Sequence, residues 1–225
     1  MNWTDRIRPA LDQWRLIALV ALLLLVTAGL GCEPAQAQDV PRAAEQYRRD
    51  LVRVAQHGFG LNAPVATLAA QIHQESGWRP EVTSPAGAQG LAQFMPGTAR
   101  WMAELYPASL GDAQPFNPGW SLRAMVAYNK WHLARVQGHT YCDQWAFALY
   151  AYNGGLGWVQ RDKRMAAAAG ADPLSWDAVE PFNAGRSSAN IRENRHYARA
   201  ILLRWEPMYA RAGWGRGVCG ERYTL

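Results

Sequence analysis

What the sequence has little of narrows it first. Only 18% of its 225 residues are charged, against 49% apolar, which is the composition of a folded chain rather than a disordered one. β-Branched runs are few and no stretch alternates apolar with polar over a strand's length, so a sheet-based fold is not expected. The five histidines are scattered, and His73 and Glu75 stand two apart rather than in an H-E-x-x-H pattern, so no metal site is expected. No Lys-Ser/Thr pair follows the glycines at Gly154, which excludes a phosphate loop. No serine or cysteine has the surroundings of a catalytic nucleophile. There is no internal repeat, and no pattern calls for a cofactor.

Cysteine is scarce as well: Cys32, Cys142 and Cys219 are the three present. Residues 16–31 are uncharged and strongly apolar but fall short of the roughly 20 residues that comfortably span a bilayer. Arginines precede this run, and Ala35-Gln36-Ala37 forms a small-residue cleavage site. Residues 1–37 therefore read as a secretory signal peptide. Two other fates stay open: retention as a membrane anchor, or lipidation at Cys32, to which residues 29–32 are a poor match. Each places the remainder outside the cytoplasm. In an oxidising compartment Cys142 and Cys219 are disulfide candidates, the alternative being two separate thiols.

The net charge is +5, and the charges of the first 37 residues cancel, so the excess belongs to the remainder. Such a balance suits an anionic partner: nucleic acid, a membrane surface or an acidic cell wall. Eleven tryptophans offer faces for sugars and bases alike, though the plainer reading puts most of them in the core. Nucleic-acid binding rests on charge and tryptophan alone, and an exported chain argues against it.

Alanine, leucine, arginine and glutamine are common, and apolar residues recur at helical spacing. After a linker at 38–42, helices are expected over 43–56, from Pro64 to Ser76 with Asn62 as N-cap, and from Pro96 to about Tyr106, where Pro107 stops the run. Further helices are expected from Phe116 to about Gln137, from Cys142 to Tyr152 and over 157–169. A short helix restarts at Asp172-Pro173, and a long one runs from Asn190 to about Ala210. The domain plan is a 1–37 signal or anchor, a linker and N-terminal helix over 38–59, a catalytic domain over 60–212 and a Gly-rich tail over 213–225. The fold class is all-α.

Three segments carry chemistry. Glu75 stands in Glu75-Ser76-Gly77-Trp78, where an apolar helix runs out into a Gly/Pro loop, near enough to apolar surface for a raised pKa and open enough for a substrate. Ser84 lies nine residues on, and Gly87-Ala88-Gln89-Gly90-Leu91-Ala92-Gln93-Phe94-Met95-Pro96 follows. Ala151-Tyr152-Asn153-Gly154-Gly155 is the third. Together they resemble the lytic transglycosylases of the soluble Slt type, with a lysozyme-like (goose-type/Slt) helical domain and a substrate groove. A fourth element of that family, E-T-x-x-Y, is similar to Glu193-Asn194-Arg195-His196-Tyr197, with Asn for Thr. Ala92 replaces the family's usual Met, and looser packing beside the groove is expected there. The resemblance covers roughly residues 60–205.

The resemblance implies a role for each residue. Glu75 is the catalytic acid and then base, cleaving the bond between N-acetylmuramic acid and N-acetylglucosamine and closing a 1,6-anhydro ring. Ser84, Gln93, Met95, Tyr152, Asn153, Glu193 and Tyr197 line the groove. Ser84 and Gln93 would hydrogen-bond the sugar, Met95 would supply an apolar floor and Tyr152 would sit close to Glu75. Asn153 has a second reading, turning the chain before Gly154. Most glycosidases need two carboxylates; in the Glu75 motif only Glu81 is near, which favours a mechanism with one. The expected partner is the peptidoglycan glycan strand, the chain acting as a monomer in the periplasm or envelope. A hydrolytic muramidase is the enzymatic rival, and a catalytically weak wall-binding assembly protein the non-enzymatic one.

Overall fold

Two helices are buried along nearly their whole length, and the others pack around them. The computed structural model describes residues 39–220. The first of the pair, α3 (Val65–Ser76), is buried from Val65 through Ile72. The second, α7 (Tyr141–Gly154), is buried over most of 142–151. Alanines at 66, 69 and 70 in α3, and at 146, 148 and 151 in α7, keep both helices thin enough for close neighbours.

In chain order the preceding helices are α1 (Arg42–Glu45) and α2 (Arg48–Phe59). Between the buried pair come α4 (Pro96–Leu105), α5 (Pro107–Leu110) and α6 (Pro118–Leu133). After α7 follow α8 (Leu156–Ala168), α9 (Trp176–Val179) and α10 (Ser188–Arg199), then a π-helical segment, Ala200–Trp205, and α11 (Glu206–Arg211). α3 packs against α2, the π segment and α11, while α7 packs against α6, α8 and α10. No strand forms among the described residues, only two isolated bridges, Thr83 to Gln89 and Gln89 to Phe94.

Side chains start three of these helices. Asn117 accepts a bond from the Trp120 N–H at 3.0 Å to open α6. Thr140 and Asp143 form a capping box on α7. Ser187 accepts from the Asn190 N–H at 3.2 Å to open α10.

Several boundaries depart from the sequence reading. The first expected helix breaks at Gln46-Tyr47 into α1 and α2. The helix from Pro96 stops just before Pro107 as expected, and Pro107 then opens α5, because a missing N–H is harmless in a first turn. α6 ends at Leu133, short of Gln137, and the short helix expected at 172 starts at Trp176. The last helix keeps its direction but widens to π geometry over Ala200–Trp205. Pro207 lies just beyond and has no N–H to continue the regular ladder. Asn62 does not cap α3, which begins at Val65. The Ala66 N–H is satisfied by the Arg216 carbonyl at 3.1 Å.

That carbonyl belongs to residues 213–220, which lie against the start of α3. Trp214 is buried, and the Gly213 carbonyl accepts from Arg48 at 2.7 Å. Buried Glu206 accepts from Thr67 Oγ1 at 2.5 Å and from the Cys219 N–H at 2.9 Å. Cys219 is disulfide-bonded to Cys142 in the first turn of α7. The tail thus joins the starts of the two buried helices. Trp78, Trp120, Trp145, Trp176 and Trp214 are buried, whereas Trp101, Trp131, Trp158 and Trp205 reach the surface. The signal or anchor reading of residues 1–37, including lipidation at Cys32, lies outside the described residues.

Candidate active site

The ends of α3 and α7 opposite the tail open onto a groove of about 380 Å³. Glu75 is the penultimate residue of α3, and Gly77, left-handed at φ 59°, ends that helix beside it. Ser84, Gln93, Met95, Tyr152, Asn153, Glu193 and Tyr197 line the same groove, so all eight residues singled out from the sequence meet there.

A buried relay stands behind Glu75. Tyr197 Oη donates to Glu75 Oε1 at 2.6 Å. Gln71, one turn earlier on α3, donates to Tyr197 Oη at 3.1 Å, and Asn129 Nδ2 on α6 donates to Gln71 Oε1 at 2.6 Å. The relay is neutral throughout. Burial therefore pushes the Glu75 pKa up to about 8; the Tyr197 hydrogen bond opposes the rise and the nearby Glu193 charge adds to it. Tyr152 stacks nearly parallel to Tyr197, ring centroids 6.5 Å apart, and donates to the Ala92 carbonyl at 2.8 Å. Burial, then the charge of Glu75, holds both tyrosines well above the usual phenol range.

The loop across the groove is knitted by its own backbone. Gly90 has φ 76°, and a Cβ there would meet the Pro115 carbonyl oxygen at 1.8 Å, so no other residue fits. Ser84 Oγ accepts from the Ala88 N–H at 3.0 Å. Gln93 Nε2 donates to the Gly90 and Val82 carbonyls at 2.9 and 3.3 Å. Both side chains thus shape the loop, and what remains for a ligand is the Ser84 hydroxyl proton and the Gln93 amide oxygen. Ala92 is fully buried, and because the bond from Tyr152 goes to its backbone, that bond does not depend on the side chain at this position.

On the far side, Asn153 Oδ1 accepts from Asn194 Nδ2, and Asn194 Oδ1 accepts from Arg186 at 3.0 Å. Arg186 pairs with Asp162 and donates to Tyr150 Oη at 2.6 Å. Asn194, which stands where the resembled family has Thr, uses both ends of its amide to bridge Asn153 and Arg186. Glu193, one residue before it, is exposed on the groove wall.

Sequence reasoning missed Gln71, Asn129 and Tyr128. A polar residue four before Glu75 on one helix face was a signal available for Gln71. Tyr128 lines the groove and meets Tyr152 at 5.0 Å. Asn129 and Tyr128 come from α6, which no motif touched.

Comparison with known proteins bears on the family and the fold. The chain is 30% identical over 159 residues to a membrane-bound lytic murein transglycosylase F of Vibrio parahaemolyticus, covering 70% of this chain and 26% of that protein. It spans about a quarter of the length of the curated relatives it matches. The 70 kDa soluble lytic transglycosylase of Escherichia coli superposes with a TM-score of 0.54 at 23% identity, over 73% of this chain and 24% of that one. The lytic transglycosylase Slt of Pseudomonas aeruginosa does so with a TM-score of 0.57 at 22% identity, over 76% and 25%. Both likenesses show the lysozyme-like fold of the Slt proteins. The transglycosylase SLT domain family model matches residues 54–175, more than half of the sequence, and the chain belongs to that family.

Proposed function

We propose that this chain is a peptidoglycan lytic transglycosylase working in the cell envelope, with Glu75 as acid and then base. The observation that carries the reading is the placement of Glu75: it lines a groove of about 380 Å³, is held by the Tyr197 hydroxyl at 2.6 Å, and burial pushes its pKa up to about 8. Cleavage of a glycosidic bond needs a proton delivered to the leaving oxygen, and a carboxylic acid with a raised pKa is suited to deliver it. On releasing it, Glu75 becomes the base that takes the proton of the muramyl C6 hydroxyl. That oxygen attacks C1 and closes the 1,6-anhydro ring, so no water is consumed. Tyr197 orients the carboxyl from behind, and Tyr152 walls the groove beside it. Ser84, Gln93, Met95 and Asn153 are proposed to hold the sugars.

One observation favours a second reading. Glu193 lines the groove, and its charge reaches Glu75. In a hydrolytic muramidase it would activate water as the second carboxylate. Mass spectrometry of products from purified murein separates the two. Anhydromuropeptides, lighter than hydrolytic products by one water, are expected; only reducing-end muropeptides would establish the muramidase. Glu193→Gln is expected to keep most of the activity, whereas the muramidase reading requires its loss.

A further inference from the structure

Helix α4 carries two apolar faces where a surface helix ordinarily has one. Ala99, Met102 and Ala103 turn into the core. Thr98, Trp101 and Leu105 follow at steps of three and four on another side, and Met95 precedes them as the N-cap. Met95 and Thr98 line the groove. Trp101 and Leu105 continue outward and are 36% and 43% exposed. With a helical rise of 1.5 Å per residue, Trp101 stands about 9 Å beyond Met95 along the axis.

Helix α6 repeats the arrangement. Tyr128 lines the groove and Trp131 follows one turn later. Trp131 meets Trp101 edge-on at 5.1 Å, and Trp101 meets Tyr128 at 5.9 Å. The Arg135 guanidinium lies 3.9 Å over Trp131 and pins its ring. Aromatic side chains therefore run without a gap from Tyr152, through Tyr128 and Trp131, to Trp101 at the surface. Core packing accounts for Met102 and Ala99, whereas Trp101 packs against Tyr128 and Trp131 and keeps part of its indole at the surface, next to exposed Leu105.

We propose that Trp101 and Trp131 form an outer platform for the glycan strand, gripping sugar rings beyond those in the groove. The inference rests on the peptidoglycan reading above. The occupant is the same strand because platform and groove are continuous: Met95 and Tyr128 belong to both. A sugar ring has an apolar C–H face that lies flat on an indole, and Arg135 offers N–H donors to the hydroxyl and acetamido oxygens at its rim. The groove thereby gains a length preference, binding long strands better than short ones.

The test measures binding without turnover in the Glu75→Gln protein, by calorimetry with purified murein glycan strands of two lengths. The short strand fills the groove alone, and the long one reaches past Met95. Adding Trp101→Ala is expected to weaken the long strand roughly tenfold, about the worth of one aromatic stack, and to leave the short one unchanged. Trp101→Phe is expected to restore most of the loss. Unchanged affinity for the long strand, or equal loss at both lengths, overturns the platform. A Glu75→Gln parent that binds neither strand overturns the peptidoglycan reading together with it, so the two failures are distinguishable.

Discussion

Glu75 and Asp162 are carboxyls withdrawn from water in one helical frame, and they keep opposite company. Asp162 is buried against Arg186, accepts from Tyr150 at 3.3 Å and takes the Ala184 N–H at 2.8 Å. Glu75 is half-buried, with a neutral phenol behind it and the carboxylate of Glu193 across the groove. The guanidinium stabilises the charge on Asp162 and makes it a joint between α8 and the loop before α10. With a neutral phenol as its partner, Glu75 is pushed by burial toward the protonated form, which suits the acid role proposed for it. One carboxyl faces a guanidinium and the other a neutral phenol, and burial acts on each according to that company.

Four experiments break or sharpen that comparison. Glu75→Gln removes the acid and is expected to lower murein cleavage by about 10²- to 10⁴-fold while the fold persists. Wild-type clearing of a murein suspension by this variant would remove Glu75 from the mechanism. Arg186→Met strands the Asp162 charge and is expected to cost about 3–5 kcal/mol in urea unfolding. Replacing Asp162 as well, by Leu, should recover most of that cost, and a mild effect of Arg186→Met alone would deny the pair its structural role.

The third experiment reads the proton on Glu75. Folded Glu75 holds it to about pH 8, and a glutamate in the unfolded chain releases it near 4.5. The folded state therefore loses stability as pH rises through that window. Glu75→Gln lacks this loss and is expected to be more stable than the parent at pH 8 by about 1–2 kcal/mol, a figure reduced for the side chain's partial exposure. Cleavage by the parent should fall along the same limb, because the acid must start protonated. Equal stability of the two proteins at every pH would contradict a raised pKa. The smallest effect is expected from Glu193→Gln, which removes one charge that raises Glu75 and should move the alkaline limb to lower pH. An unmoved limb would assign the shift to burial alone.

The sequence was most legible where chemistry is local. Glu75, Ser84, Gln93 and Met95 share one segment of chain, and their spacing survives as a loop folded back over a helix end. Tyr152 and Tyr197 were readable from short motifs, and the structure brings them to Glu75. Harder to read was anything made by contact across the fold. Gln71 acquires its role from a tyrosine 126 residues away, and Arg186 from an aspartate 24 residues earlier. Asn62 was a sound local choice for capping α3, but a backbone carbonyl from the tail occupies that place. The break between α1 and α2 was invisible to a periodicity that continues across it.

The bond between Cys142 and Cys219 encloses 77 residues of sequence separation, and Glu206 anchors the same tail from inside. Loop-closure entropy alone puts such a cross-link at up to about 4.5 kcal/mol. This contribution exists only where thiols oxidise, so the chain's robustness is a property of its address as much as of its fold. In a reducing compartment the start of α7 loses its covalent tie to the tail, and the melting temperature is expected to fall. A chain fastened in this way gains that contribution only in surroundings that permit the bond.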